Sequence, residues 1–190
     1  GLDGGLTGRQ SMRLVNISHA TSPTMFWDER AISLNDQVTQ PIQDHVEMGF
    51  SGTLGQPGID SLKNRLESID YYVELFEWAF NGSSNVTEAK IARALEHFVM
   101  SIESYDSKYD QGFAQNGGGA GDFSNFTTSE NLGKTLFAQA PQVNNQGVRI
   151  GGGAGCGGCH QAPEFSIAPN SRNNGVDHVA GDATGFDTTN

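Results

Sequence analysis

An all-α protein with long, glycine-rich irregular loops is what this 190-residue sequence predicts. Two apolar stripes at helical spacing carry that prediction, together with the lack of any convincing run of alternating polar and apolar residues. The first stripe is Leu62, Leu66, Ile69, Val73, Phe76 and Phe80, with steps that alternate between four and three. It predicts one helix from Asp60 to Phe80, about five to six turns at the standard rise, ended by Asn81-Gly82. The second stripe is Ile91, Leu95, Phe98 and Ile102. Thr87 is its expected N-cap, Glu88 lies in its first turn, and it runs to about Tyr105. The two helices are expected to pack antiparallel through a short loop, with both stripes in the core.

The flanking segments read as shorter elements. The first 25 residues are glycine-rich and irregular. Ser33 and Asp36 resemble a capping pair that opens a short helix, which Pro41 is expected to stop. Gln111 to Gly121 reads as a connector. Ser129 is the expected cap of a short helix through Leu136 and Phe137, and Ala138 to Gly155 is a second loose stretch. Gly-Gly-Gly-Ala-Gly occurs at 117–121 and again at 151–155. No βα unit frames either copy, so both read as loop sequence rather than phosphate cradles.

A net charge of −11 sets this chain against nucleic acid and anionic membrane as partners, because like charges repel. A basic or neutral partner suits it better. No apolar run reaches the length that spans a bilayer.

The motif with the most chemistry is Cys156-Gly157-Gly158-Cys159-His160, which holds both cysteines of the sequence. Cys-x-x-Cys-His is the attachment signature of c-type haem: two thiols form thioethers with the porphyrin vinyls, and the adjacent imidazole becomes the proximal iron ligand. Two other readings exist, a reducible disulfide and half of a zinc site. A zinc site needs further Cys or His at ligand spacing, and the next histidine along the chain is His178. A thioredoxin-like dithiol needs a βαβ context that the sequence does not suggest. Thioether-bound haem belongs to exported proteins, so the expected compartment is periplasmic or extracellular. No signal peptide is present, and the first residue is not Met, so a mature or internal part of a longer chain is expected.

Several short motifs in order resemble the bacterial di-haem cytochrome c peroxidase family, which includes MauG-like enzymes. Phe26-Trp27-Asp28-Glu29-Arg30-Ala31 is similar to its Phe-Trp-Asp-Gly-Arg-Ala. Ser33-Leu34, Gln37, Pro41-Ile42 and Val46-Glu47-Met48-Gly49 follow in register. Tyr72 to Phe80, Ala94-Leu95 with Phe98, and Ser107 to Asp110 resemble the next segments. Gly133 to Phe137 resembles the Gly-x-x-Leu-Phe before the second haem motif, and Phe165 and Asn174-Gly175 the segment after it. The resemblance covers about residues 8 to 178.

The resemblance implies cytochrome c-like helical lobes. Residues 1–125 would form part of the peroxidatic-haem lobe with the interlobe helices, and 126–190 the start of the electron-transfer lobe. Cys156, Cys159 and His160 would hold the electron-transfer haem c. Trp27 would relay electrons between two haems, and Glu47 would be the distal acid/base, with Pro41 shaping its pocket. A carboxylate among Val46, Met48 and Phe50 suits the movement of a proton between peroxide oxygens. The implied reaction is reduction of hydrogen peroxide to water. Its electrons would come from a small donor such as a cytochrome c or a cupredoxin. MauG-like oxidation of a protein substrate and simple electron transfer without peroxidase activity are the alternatives. A homodimer is compatible with the family.

Departures from the family pattern add further expectations. The first Cys-x-x-Cys-His would lie before residue 1 and the sixth ligand of the second haem beyond residue 190, so a second haem is expected in the full-length protein. Glu29 replaces a glycine. Gln10 stands where many members have an asparagine that helps bind calcium, and its amide oxygen can still coordinate Ca2+. The stretch between Phe137 and Cys156 is longer than usual. Of the remaining histidines, His97 reads as structural, His45 as a neighbour of the Glu47 pocket, and His178 as an alternative haem ligand.

Overall fold

A computed structural model describes residues 4–8, 10–20 and 22–167. His178 and Asn174-Gly175 lie outside the described residues. The chain forms two compact units. One comprises Gly1–Leu14 and Pro23–Ile102, the other Val15–Ser22 and Glu103–Asn190. The lobe boundary suggested near residue 125 falls inside the second unit.

The first unit is helical. Its helices are α1 (Leu34–Gln37), α2 (Gln40–Gln43), α3 (Ile59–Glu67), α4 (Asp70–Ala79) and α5 (Glu88–Met100). The Ser33 hydroxyl accepts the Asp36 amide at 3.1 Å, as the capping pair predicts. Pro41 does not stop a helix. It lies in the first turn of α2, where its fixed φ fits and its missing N–H leaves no bond unmade.

The helix predicted from Asp60 to Phe80 is broken into α3 and α4. Ser68 turns its hydroxyl back on the Arg65 carbonyl at 2.7 Å, competing with the helical ladder. Ile69 is then extended at φ −118°, ψ 111°. The stripe survives the break, because Leu62, Leu66, Phe76 and Phe80 all pack into one core with Ile42, Val86, Ile91 and Leu95. Asn81 (φ 52°) and Gly82 (φ 83°) end α4 in left-handed conformations. The Gly82 N–H closes on the Glu77 carbonyl at 2.8 Å.

The Thr87 cap on α5 is as predicted, with its hydroxyl accepting the Lys90 amide at 3.2 Å. The helix ends at Met100, short of Tyr105. Its chief helical neighbour is α1, whereas α4 packs chiefly on α3, so the expected α4–α5 pair is not the organising contact. The buried arc of α5 is Ile91, Ala92 and Val99. That arc is centred between Ile91 and Ala92, which leaves Phe98 64% exposed.

In the second unit, α6 (Lys108–Asn116) and α7 (Thr128–Ala138) each open on a capping box, Ser107 with Asp110 and Thr127 with Glu130. The cap of α7 is therefore Thr127 rather than Ser129. Half of the expected connector from Gln111 to Gly121 is helix. Gly112, which reads as a loop residue in sequence, sits inside α6 because Phe123 lies against it. A Cβ there would stand 2.8 Å from Phe123 Cγ. Phe123 is 1% exposed. Asn131 on α7 grips its backbone, accepting the Phe123 N–H at 2.8 Å and donating to the Phe123 carbonyl at 3.1 Å.

The fold is mostly helical, but two small antiparallel ladders depart from the all-α expectation. Strands β1 (Pro141–Val143) and β2 (Arg149–Gly152) form a bulged hairpin, and β3 (His160–Gln161) pairs with β4 (Ser166–Ile167). Elements of two to four residues are too short for period-two alternation to register in sequence. Among the described residues, no helix is long and apolar enough to cross a membrane.

Candidate haem-attachment site

The end of α7 and the β1–β2 hairpin together position the Cys-x-x-Cys-His motif. The Leu136 carbonyl accepts the Ala154 amide at 2.6 Å, and the Gln139 carbonyl accepts the Gly155 amide at 2.9 Å. Gly155 then takes φ +72°, and a Cβ on it would meet Pro141 Cδ at 2.8 Å. Only glycine fits that turn. A single 3-10 turn over Cys156–Gly158 follows, closed by the Cys159 N–H on the Cys156 carbonyl at 3.1 Å. Both cysteines are free thiols, Cys156 half-buried and Cys159 exposed.

His160 begins β3, and its Nδ1 lies 3.2 Å from the Phe165 carbonyl oxygen. A carbonyl only accepts, so Nδ1 is the donor in this contact and Nε2 is the ring nitrogen not engaged by it. This is the second-contact arrangement that orients a metal-binding imidazole and raises its basicity. Phe165 holds its carbonyl there from a left-handed backbone, φ 53°. Its ring meets Phe137 edge-on at 5.4 Å, and Phe137 lies 6.5 Å from the imidazole. Two thiols three residues apart, an imidazole held through Nδ1, and flanking aromatic rings fit covalently attached haem. Among the described residues, no group of three or more His, Cys, Asp or Glu side chains gathers as a metal site.

The other predicted residues lie in the first unit. Trp27 sits at the tip of a tight reversal that pairs Met25 with Ala31, their backbones exchanging bonds of 2.8 and 3.4 Å. Its indole N–H donates to the Gln10 carbonyl at 2.8 Å, and the side chain is 47% exposed. Trp27 and Gln10 are thus brought together, although it is the backbone of Gln10 that takes part. The Arg30 guanidinium grips Asp28 at 2.8 and 3.0 Å and stacks 3.5 Å over the Phe26 ring. Partial burial raises the Asp28 pKa, but the Arg30 side-chain and backbone hydrogen bonds outweigh it and leave the net value below normal. Glu29 takes φ 54°, so it retains a glycine-like backbone despite its side chain.

Glu47 stands on a separate loop of the same unit. Asp44 Oδ1 accepts the amides of Val46 at 2.8 Å and Glu47 at 3.0 Å. The Met48 and Phe50 amides donate to the carbonyls of Pro41 and Ile42 at 3.2 and 3.0 Å, tying the loop to α2. Pro41 therefore helps hold the loop through its backbone. Glu47 is half-buried, Val46 and Met48 are exposed, and Phe50 packs on the core. His45 Nδ1 lies 3.1 Å from Ser51 Oγ. His97 is exposed, and His19 meets Glu103 at 3.1 Å in the second unit.

Two contributors were not recognised in sequence. The Phe165 carbonyl that orients His160 is a backbone group, marked only by its position five residues on. Asn131 carries α7 toward the motif, and its sole signal is an amide inside a short helix.

A mostly helical framework carrying a Cys-x-x-Cys-His motif is compatible with the c-type cytochrome class. The chain belongs to the di-haem cytochrome c peroxidase family, whose profile matches residues 1–117. It is 27% identical over 150 residues to methylamine utilization protein MauG of Methylophilus methylotrophus, covering 79% of this chain and 37% of that protein. It is also 27% identical over 174 residues to the protein of the same name from Methylorubrum extorquens, covering 87% of this chain and 42% of that protein. The chain thus spans about two fifths of the length of these curated relatives. No solved structure gives a significant match.

Proposed function

We propose that this chain is part of a c-type haem oxidoreductase that reduces hydrogen peroxide to water, with electrons entering through a haem at Cys156, Cys159 and His160. The observation that carries the reading is His160, held through Nδ1 by the Phe165 carbonyl and next in sequence to two free thiols. Family membership supports haem-based peroxidase or oxidation chemistry. Bound haem would supply the electrons and the redox change. The chain's own residues would do the rest.

His160 would hold iron through Nε2. The bond to Phe165 would keep the tautomer that leaves that nitrogen available. Trp27, held by Gln10, would relay electrons toward a second haem provided elsewhere in the full-length protein. Glu47 would take a proton from one peroxide oxygen and return it to the leaving one. The Asp44 turn would hold its backbone still while it does so. The electron donor would be a small cytochrome c or cupredoxin and the compartment the periplasm. Calcium at Gln10 and a homodimer are further parts of this proposal.

The relatives' name favours one second reading, MauG-like oxidation of a protein substrate through Trp27. The two readings share the same early chemistry.

Stopped-flow spectroscopy of the full-length protein tests the proposal. Glu47→Gln is expected to slow the peroxide-driven spectral change by about a hundred- to ten-thousand-fold with haem content intact. Wild-type kinetics would remove Glu47 from the reaction. Trp27→Phe is expected to leave peroxide binding unchanged and to slow electron exchange between the haems. Unaltered exchange would end the relay role.

A further inference from the structure

We infer that Tyr109 is a redox-active tyrosine, wired to the haem-binding histidine through Phe165. This rests on the reading of His160 as the haem ligand. It adds a residue that the reaction described above does not use.

Phe165 makes two contacts that together form a path. Its carbonyl accepts the His160 Nδ1–H at 3.2 Å, and its ring meets the Tyr109 ring edge-on at 4.8 Å. From phenol to imidazole, the route is one ring contact, one residue and one hydrogen bond. A second route runs through rings alone, from Phe165 to Phe137 at 5.4 Å and from Phe137 to His160 at 6.5 Å. Electron transfer weakens steeply across empty gaps and passes well through bonds and close contacts. Both routes are of the second kind.

Packing alone would explain an aromatic side chain at this position, but it does not require a hydroxyl. Tyr109 lies among Phe113, Phe123, Phe126 and Phe165, at centroid separations of 4.8 to 6.4 Å. Every neighbour in that cluster is a phenylalanine, and phenylalanine would serve there. The phenol is the only ring of the cluster that is readily oxidised. Burial, and then the nearby Asp110 carboxylate, raise its pKa, so it is protonated before it gives up an electron. The side chain is half-buried, which shields a radical while leaving a route to water for the proton.

The balance is simple. Hydrogen peroxide needs two electrons and two protons to become two waters. Tyr109 supplies one electron and releases its phenolic proton to water, leaving a neutral phenoxyl radical. The other electron comes from the haem iron. Water supplies the two protons that the peroxide oxygens take up. Two electrons from the donor then complete the cycle, one restoring the phenol together with a proton from water and the other restoring the haem iron. The chain thereby gains a place to store an oxidising equivalent when the donor is scarce.

Freeze-quench electron paramagnetic resonance on the full-length haem-loaded protein provides the test. With peroxide and no donor, a tyrosyl signal is expected that narrows in protein grown on ring-deuterated tyrosine. In Tyr109→Phe, whose ring packing is kept, the signal is expected to be lost while the haem absorption spectrum stays as in the wild type. Phe165→Leu, which keeps the backbone carbonyl, is expected to lower the radical yield. A tyrosyl signal that persists in Tyr109→Phe overturns the assignment, and so does a wild type whose haem reacts but forms no tyrosyl radical. If peroxide leaves the haem spectrum unchanged, the peroxidase reading fails separately. Flash-quench photo-oxidation of the haem with a ruthenium complex then decides Tyr109 by the same wild-type against Tyr109→Phe comparison.

Discussion

Replacing Asn131 with leucine should loosen the helix that leads to the haem motif, and the structure sets the size of the effect. The Asn131 amide pairs both backbone groups of Phe123, at 2.8 and 3.1 Å. Asn131 is 7% exposed and Phe123 1%, so water cannot take over those bonds. Leucine has the same branched shape and number of side-chain heavy atoms, so the change removes hydrogen bonding without opening a cavity. Each buried group left unpaired costs about 1–3 kcal/mol. Leucine recovers part of that through apolar burial, which leaves a net loss of about 2–4 kcal/mol. Hydrogen exchange read on peptides covering α7 isolates this unit from the other. At 1.4 kcal/mol per factor of ten, the α7 amides should exchange roughly thirty- to a thousandfold faster. Exchange rates in α7 equal to wild type would refute the reasoning, since they would mean that the two bonds contribute nothing.

Two further outcomes follow from the second unit. Lys108, bonded at 2.6 and 2.7 Å, holds the Glu130 carboxyl down to about 2, helped by the Thr127 backbone N–H and hydroxyl. A lowered carboxylate pKa stabilises fully above its ordinary value of 4.5, and the contribution fades as pH falls toward 2. A carbon-detected titration of Glu130 should find its midpoint well below 4.5, and Glu130→Gln should flatten the acid limb of the stability curve; a midpoint at the ordinary value would refute this. Gly155→Ala forces a side chain into φ +72° against Pro141, at a backbone cost of about 1–2 kcal/mol before the clash is counted. Less covalent haem per chain is expected, measured by absorbance against protein concentration, and wild-type loading would show that the turn tolerates a Cβ.

Much of this protein was legible in its sequence because the relevant chemistry is local. A Thr or Ser with an acid in the turn that follows finds the amide it caps whatever lies elsewhere, so Thr87, ahead of Glu88, and Ser33, ahead of Asp36, were identified directly. Thr127 used the same rule, two residues before the expected cap at Ser129. The apolar stripes placed Leu62, Leu66, Phe76, Phe80, Ile91 and Leu95 in the core even though their helix broke at Ser68. Periodicity reports which face is apolar, and it is blind to a serine that turns on its own helix. Trp27 and Glu47 were marked by resemblance, and their roles remain proposals.

What tertiary structure alone decided are the meetings between segments that do not adjoin in sequence. Gly112 lies within a helix because Phe123 presses against it, and Phe98 is exposed because the buried arc of α5 centres between Ile91 and Ala92. By itself the sequence marked the atoms suited to a haem, the two thiols and the imidazole of residues 156 to 160. The direction in which that imidazole points depends on the Phe165 carbonyl, and the Phe165 ring in turn meets Tyr109 edge-on. Both depend on a left-handed residue and a packed aromatic cluster, whose geometry is fixed only when distant side chains compete for the same space.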